Sequence, residues 1–410
     1  MLKGNRSSIV SFLLLYIISA FISLFQTLTQ PNYPGELGEF TRSITSFDVV
    51  AISLLNIISF FVCYFVFLAL TGFRLKFDNK IHVEFNKKRI NKVLTLLLAA
   101  QLSFLLTTNV GKVAVTASDV ATSIYSPLFA FLKPEPFIYM FFLAFRTEKN
   151  FTYRKNILFT FNILLFISFK ILQGWTSFLL IMFFLEIYAR FQEKNNKFVL
   201  LFPIFIIILG GGIYQYAFEL KNEIRGVKKV EPLTYYQGVE QLTSRLSMNP
   251  VSLGAYENDN KIIELYKEDN REFKESVSLL RPIIPNRFID KDYRILNNNV
   301  IESFYPDLNQ YTSSDFGAVI YYYILFRASL PDFITTILIA IILILFAKIY
   351  FDSMSLYNGQ YDILLFFIVF YSFYTVSLEN VFGQGFFPYL FSSLFFFITG
   401  GIRLVRKSEI

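Results

Sequence analysis

Ten apolar runs, each nearly free of charge, constrain this 410-residue chain more than any other feature. They cover about 8–28, 48–72, 93–109, 128–145, 157–172, 175–191, 198–218, 331–351, 362–379 and 385–402. A helix needs about 20 residues to cross roughly 30 Å of hydrocarbon at 1.5 Å per residue. Each run is therefore read as a membrane-spanning helix. The fifth and sixth are short and separated only by Leu172-Gln173-Gly174-Trp175, which reads as a tight helical hairpin. Charged residues are only 17% of the chain, against roughly 25% in soluble domains. That composition excludes an ordinary soluble enzyme. Cys63 is the sole cysteine, which excludes a disulfide framework, and His82 is the sole histidine, which argues against a multi-histidine metal site. Lys3 and Arg6 precede the first run and no small-residue cleavage site follows it, so it is expected to be retained as a span.

The charges orient the spans. With the N-terminus placed in the cytoplasm, the internal segments carry twenty lysines and arginines, and the short external segments carry only Arg42, Lys112, Lys133 and Lys170. This obeys the positive-inside rule at every turn. It also accounts for most of the +7 net charge without a nucleic-acid partner. The basic cluster over 74–92 is read as a topology determinant near anionic lipid, with His82 in a solvated loop.

The chain thus divides into spans one to seven over 1–218, an external loop over 219–330, and spans eight to ten over 331–410. The loop holds 14 Lys+Arg and 16 Asp+Glu. A loop of this length is expected to carry structure and function. Leu253 to Phe273 reads as a polar helix with Ile262, Ile263, Leu265 and Tyr266 on one side. Gly317 to Leu330 reads as a re-entrant or interfacial helix. Gly210-Gly211-Gly212, inside the seventh span, reads as a close packing site or kink.

No phosphate-loop motif is present, which argues against an ATP-driven transporter, and the lone internal histidine excludes a Ser-His-Asp triad. Arginines are the notable loop residues: Arg225, Arg245, Arg281, Arg287, Arg294 and Arg327. Arginine grips phosphate bidentately and stays charged, so an external arginine-rich site suits a lipid-linked diphosphate. Pairing with the loop's own acids is the competing reading for each. Arg327 sits within an apolar stretch and requires an anionic partner there. Lys170, at the external end of the fifth span, either snorkels to the headgroups or reaches a ligand phosphate. Glu135 and Glu379 are read as interfacial, and Glu186 is expected to pair with Arg190 one helical turn away.

The whole architecture resembles the O-antigen (oligosaccharide repeat unit) polymerase family, Wzy. Four segments carry the resemblance: Leu172-Gln-Gly-Trp-Thr-Ser-Phe-Leu-Leu180, Leu242-Thr-Ser-Arg245-Leu246, Arg281-Pro-Ile-Ile-Pro-Asn-Arg287 and Thr312-Ser-Ser-Asp315-Phe-Gly317. The related ligases carry a histidine late in their large loop. This chain has Asp315 in the comparable region, which favours a polymerase. The resemblance implies an all-α polytopic, GT-C-like membrane glycosyltransferase that needs no metal or other cofactor. It would lie in a bacterial inner membrane and serve lipopolysaccharide biosynthesis. At the periplasmic face it would join undecaprenyl-diphosphate-linked oligosaccharides. Membrane lipid and a Wzz-type chain-length regulator are the further partners implied. Arg225, Arg245, Arg281, Arg287, Arg327 and Lys170 are the diphosphate-binding candidates. Asp315, then Asp307, are the candidates for general base, with helix N-capping as the competing role for Asp315. A flippase of lipid-linked repeat units is the main alternative, and a scaffolding protein the third reading.

Overall fold

The structure is a computed structural model describing residues 5–72, 81–112, 121, 123–148, 151–175, 177–191, 197–224, 232–280, 294–306, 314–356, 359–374, 381–382 and 386–406. It is overwhelmingly helical. The first half comprises α1 (Asn5–Thr29), α2 (Ser46–Gly72), strand β1 (Ile81–Phe85), α3 (Lys87–Thr108), α4 (Ser126–Phe131), α5 (Pro134–Arg146), α6 (Ile157–Leu172), α7 (Ser177–Arg190) and α8 (Phe202–Ile224). The large loop supplies α9 (Tyr235–Ser247), α10 (Asn249–Glu257), α11 (Asp259–Glu268), α12 (Lys274–Leu280), α13 (Leu296–Phe304) and α14 (Ala318–Ala328). The chain closes with α15 (Leu330–Met354), α16 (Asp362–Phe373), α17 (Phe387–Ile398) and strand β2 (Ile402–Arg406).

Among the described residues, five helical stretches are long and apolar enough to cross a membrane: Arg6–Thr29, Ser46–Gly72, Lys87–Thr108, Phe198–Leu220 and Leu330–Met354. They also turn apolar side chains outward, among them Phe65 on α2, Leu209 on α8 and Phe346 on α15. Water penalises a continuous outward apolar face, whereas hydrocarbon does not. Length, sequence and outward apolar side chains together suggest a membrane protein. Shorter apolar helices occupy parts of other expected runs, among them Ile157–Leu172, Asp362–Phe373 and Phe387–Ile398. The core between them is aromatic. Phe12 of α1 meets Phe370 of α16 at 5.1 Å between ring centroids, and Phe60 of α2 meets Tyr374 at 4.2 Å. Such edge-on and tilted pairs add stabilisation beyond their buried area.

Polar contacts gather at two ends. At one, β1 and β2 pair antiparallel, the Asn86 N–H donates to the Gly401 carbonyl at 2.8 Å, Lys87 pairs with Glu148, and the Tyr188 hydroxyl donates to the Gly359 carbonyl. At the other, the 30–45 segment packs on the large loop: Tyr33 and Ser43 both donate to Glu257, and Arg245 pairs with Glu36 at 2.8 Å. The members of each group come from segments that the charge count assigns to one side.

Several expectations need correction. His82 lies in β1 opposite Val405, not in a loop. The expected helix from Leu253 to Phe273 is two helices that break at Asn258 and end at Glu268; Phe273 itself has φ of 57°, which is incompatible with a helix. Ile262, Ile263 and Tyr266 are buried as the spacing required. The fourth run is split into α4 and α5, because Pro134 starts a new helix and lacks the N–H that would continue the old one. The tenth run ends at Ile398 and turns into β2. Glu186 takes Arg146 at 2.7 Å and the Tyr153 hydroxyl at 2.9 Å rather than Arg190. Tertiary approach of α5 and α7 outweighs the one-turn spacing.

The large loop is anchored, not suspended. Asp332, fully buried in the first turn of α15, accepts the Tyr266 hydroxyl at 2.5 Å, the Glu275 and Ser276 N–H groups at 3.0 Å each, and the Ser276 hydroxyl at 2.7 Å. Two helix N-termini, of α12 and α15, thus share one carboxylate, where both dipoles favour negative charge. Burial depresses the pKa of the neighbouring Lys274, whose ammonium donates to the Tyr266 and Asp269 carbonyls.

The glycine run in α8 is a close packing site. A Cβ on Gly238 of α9 would lie 2.3 Å from the Gly211 carbonyl oxygen, whereas one on Gly212 would meet nothing within 4 Å. Gly238→Ala should therefore destabilise the α8–α9 contact by about 1–3 kcal/mol through overpacking, while Gly212→Ala should leave the thermal midpoint unchanged or raised. Thermal unfolding of the two purified variants checks this. Equal midpoints would contradict the close approach.

Candidate functional site

The α6–α7 turn begins the site. Gly174 adopts φ of 84°, a left-handed conformation that side chains disfavour, and the Trp175 N–H donates back to the Lys170 carbonyl at 3.1 Å. This places Lys170, Gln173 and Trp175 around one tight corner. Beside it stands the start of α5, where Pro134 and Pro136 hold Glu135 in the first helical turn. Lys170 and Glu135 form an ion pair, and the Lys170 Nζ also lies 5.6 Å from the Trp175 ring centroid. Lys170 is 7% exposed, so it is held inside rather than extended to headgroups.

These residues line a cavity of about 690 Å³. Asp315 lines it too, on the segment leading into α14, together with Lys133. The apolar part of the wall is largely aromatic and includes Tyr139, Tyr371, Tyr389 and Phe104. Phe104 is stacked on Phe129 at 3.9 Å. The lining segments around 110–111, 133–135, 170–177, 315 and 381 all belong to stretches that the charge count assigns to one side, the side of the large loop.

Asp315 is positioned by α13. The Asn297 side-chain amide donates to the Asp315 carboxylate at 3.3 Å and to the Ser314 carbonyl at 3.2 Å, and the Ser314 N–H returns a bond to the Asn297 carbonyl at 3.2 Å. Asp315 is not the helix N-cap. That place belongs to Gly317, whose N–H donates to the Ser252 hydroxyl at 2.7 Å. The competing structural role for Asp315 is therefore corrected: the chain is still extended at Gly317, and the helix starts at Ala318.

The remaining candidates divide. Arg245 does not line the cavity; it pairs with Glu36 and stands 5.8 Å from the Tyr214 ring centroid. Yet Glu36 also accepts the Ser314 hydroxyl at 3.0 Å, so Arg245 is linked through one carboxylate to the residue beside Asp315. Arg327 pairs with Asp259, donates to Asn260 at 3.0 Å and lies against Tyr323, which raises its pKa. Arg294 pairs with Glu302. Pairing with the loop's own acids thus accounts for Arg294 and Arg327, whereas Arg245 pairs outside the loop, with Glu36 of the 30–45 segment. Arg225, Arg281, Arg287, Asp307 and Glu379 lie outside the described residues.

Sequence reasoning missed Glu135 as a cavity residue, and with it the tyrosines on the wall. A carboxylate between two prolines opposite a span-end lysine was the available signal. Gln101, a polar residue inside an apolar run, was another: its side-chain amide donates to the Phe129 and Leu132 carbonyls at 3.0 Å each, closing the break between α4 and α5.

The buried pair has a measurable consequence. Lys170→Met strands the Glu135 carboxylate and should cost about 3–5 kcal/mol, whereas Lys170→Met with Glu135→Leu should recover most of that loss. Unfolding midpoints of the single and double variants test the coupling; additive losses would show that the two side chains act independently.

The chain matches no protein-family model, no curated protein and no solved structure.

Proposed function

We propose that the chain is a membrane glycosyltransferase that polymerises oligosaccharides carried on a lipid diphosphate. The reading includes ten spans, internal termini and the large loop on the outer, periplasmic face of a bacterial inner membrane. One observation carries it: Lys170 and Asp315, chosen from separate parts of the sequence, line the same cavity at the large-loop end. The ten apolar runs, the charge asymmetry and the segment resemblances support it further.

In this reading a hydroxyl of the acceptor oligosaccharide attacks the anomeric carbon of the donor. The new carbon–oxygen bond forms as the bond to the lipid diphosphate breaks. The hydroxyl proton passes to the Asp315 carboxylate, which Asn297 holds in place. The departing diphosphate takes up negative charge and needs a cation nearby. Arg245 is the described candidate closest to Asp315 along the hydrogen-bonded chain, through Glu36 and Ser314. Arg327, enclosed by Asp259, Asn260 and Tyr323, is better read as holding α14 to α11.

A flippase is the second reading, because a cavity at one membrane face also suits a transporter. Detergent separates the two. Micelles have no sides, so a flippase shows no activity there, whereas a polymerase still lengthens its substrate. Purified protein in micelles with lipid-linked repeat units should yield a ladder of longer lipid-linked chains. Asp315→Asn should lower that rate by about 10²–10⁴ while the protein stays folded. No ladder from the wild type would remove the polymerase reading, and a full ladder from Asp315→Asn would remove the base role.

A further inference from the structure

The cavity's charges and unfilled hydrogen bonds bear on which part of the substrate it holds. Two lysines, Lys133 and Lys170, face two carboxylates, Glu135 and Asp315, around its wall. Lys170 is already paired with Glu135. Among the described lining residues a diphosphate would meet no surplus of positive charge, and a cationic ligand no surplus of negative charge. Among the described lining residues, the buried side-chain atoms left unfilled are acceptors. Glu135 gives Oε1 to Lys170, but its Oε2 is buried with no hydrogen-bond partner among the described residues. The Gln173 Oε1 is likewise buried without one. A buried carboxylate oxygen left without a donor carries a desolvation cost. Phosphate oxygens cannot relieve that cost, because at neutral pH they accept. Hydroxyl groups can.

The wall adds a second constraint. Trp175 is 48% exposed, although it borders a cavity and sits at a tight turn. Its ring presents a negative π face, which packs well against the C–H face of a sugar ring. Tyr139, Tyr371 and Tyr389 extend the aromatic lining.

We propose that this cavity is a saccharide subsite, which takes an uncharged, hydroxyl-rich sugar unit on Trp175 with its hydroxyls donating to Glu135 and Gln173, and that the diphosphate lies outside it. The inference rests on the reading of the substrate as a lipid-linked oligosaccharide. It changes the role of Lys170 from phosphate ligand to positioning residue: Lys170 occupies one oxygen of Glu135 and leaves the other to the sugar.

The chain has a single tryptophan, so its fluorescence reports on this site alone. The protein, full length in lipid nanodiscs, is titrated separately with two probes. One is the free oligosaccharide released by mild acid from the host's lipid-linked pool; the other is inorganic pyrophosphate. The oligosaccharide should shift Trp175 emission saturably and pyrophosphate should not. Gln173→Ala, which keeps the Lys170–Glu135 pair, should weaken oligosaccharide binding about tenfold. Glu135→Gln should weaken it further, read alongside the unfolding midpoint. A response to pyrophosphate alone, no response to the oligosaccharide, or unchanged affinity in Gln173→Ala would overturn the subsite. Failure here with the elongation ladder intact would move the saccharide elsewhere and leave the polymerase reading standing. Binding without any ladder would do the reverse.

Discussion

Apolar helices must satisfy their own backbone, and the polar residues are left to collect where those helices end. The rest of this structure depends on that separation. At the end assigned to the inside, short segments knit together through β1–β2 pairing, Lys87–Glu148 and Arg146–Glu186. Toward the other end a large helical loop packs along α8, α1 and α2, with Gly238 against Gly211 and Asn249 bonded to Asn56 and to the Ala20 carbonyl, and it is fastened by the Asp332 carboxylate and by Glu257. A buried carboxylate that accepts several N–H and O–H groups loses little by leaving water, and it fixes the geometry of everything that donates to it.

The candidate site lies at the junction of these two architectures. Glu135 comes from α5, its partner Lys170 from α6, and Asp315 from the loop. Such a junction suits chemistry on a molecule with a lipid tail and a polar head, because the tail can remain among apolar helices while the head meets the loop. The Arg245–Glu36–Ser314 connection gives the loop a second link to the same corner.

Much of this was legible in the sequence. Apolar run length located the helices, because composition alone decides whether a segment tolerates hydrocarbon. Gly210 and Gly211 of the glycine run form the close packing site that the sequence suggested, since side chains there would collide with α9, whereas Gly212 takes no part. Lys170 was marked by its position at the end of an apolar run, and Asp315 through the resemblance of its segment. The partners were not legible. Glu135 for Lys170, Glu36 for Arg245 and Arg146 for Glu186 are long-range choices set by helix packing, and spacing rules reach only one turn. The strand pair joining β1 to β2 was missed although Ile81-His-Val-Glu-Phe85 alternates apolar and polar as a strand does: the basic residues around it drew the reading toward a loop, and its partner Ile402-Arg-Leu-Val-Arg406 lies far away in the sequence and does not alternate. The break at Asn258 was missed because local hydrogen bonding, not hydrophobic period, ends a helix there, whereas the helix read from Gly317 does begin there, with Gly317 rather than Asp315 as its N-cap.

The central claim is that the oligosaccharide end of a lipid-linked substrate occupies the cavity at the large-loop end. The most direct measurement is site-specific photocrosslinking with radiolabelled lipid-linked oligosaccharide. Phe104, on the cavity wall and stacked on Phe129, is replaced by p-benzoylphenylalanine; Leu404, in β2 at the opposite end, takes the same replacement as the control. Light should attach the labelled substrate at position 104 and not at 404. Label at 404, or none at 104 in protein that remains folded, would contradict the account.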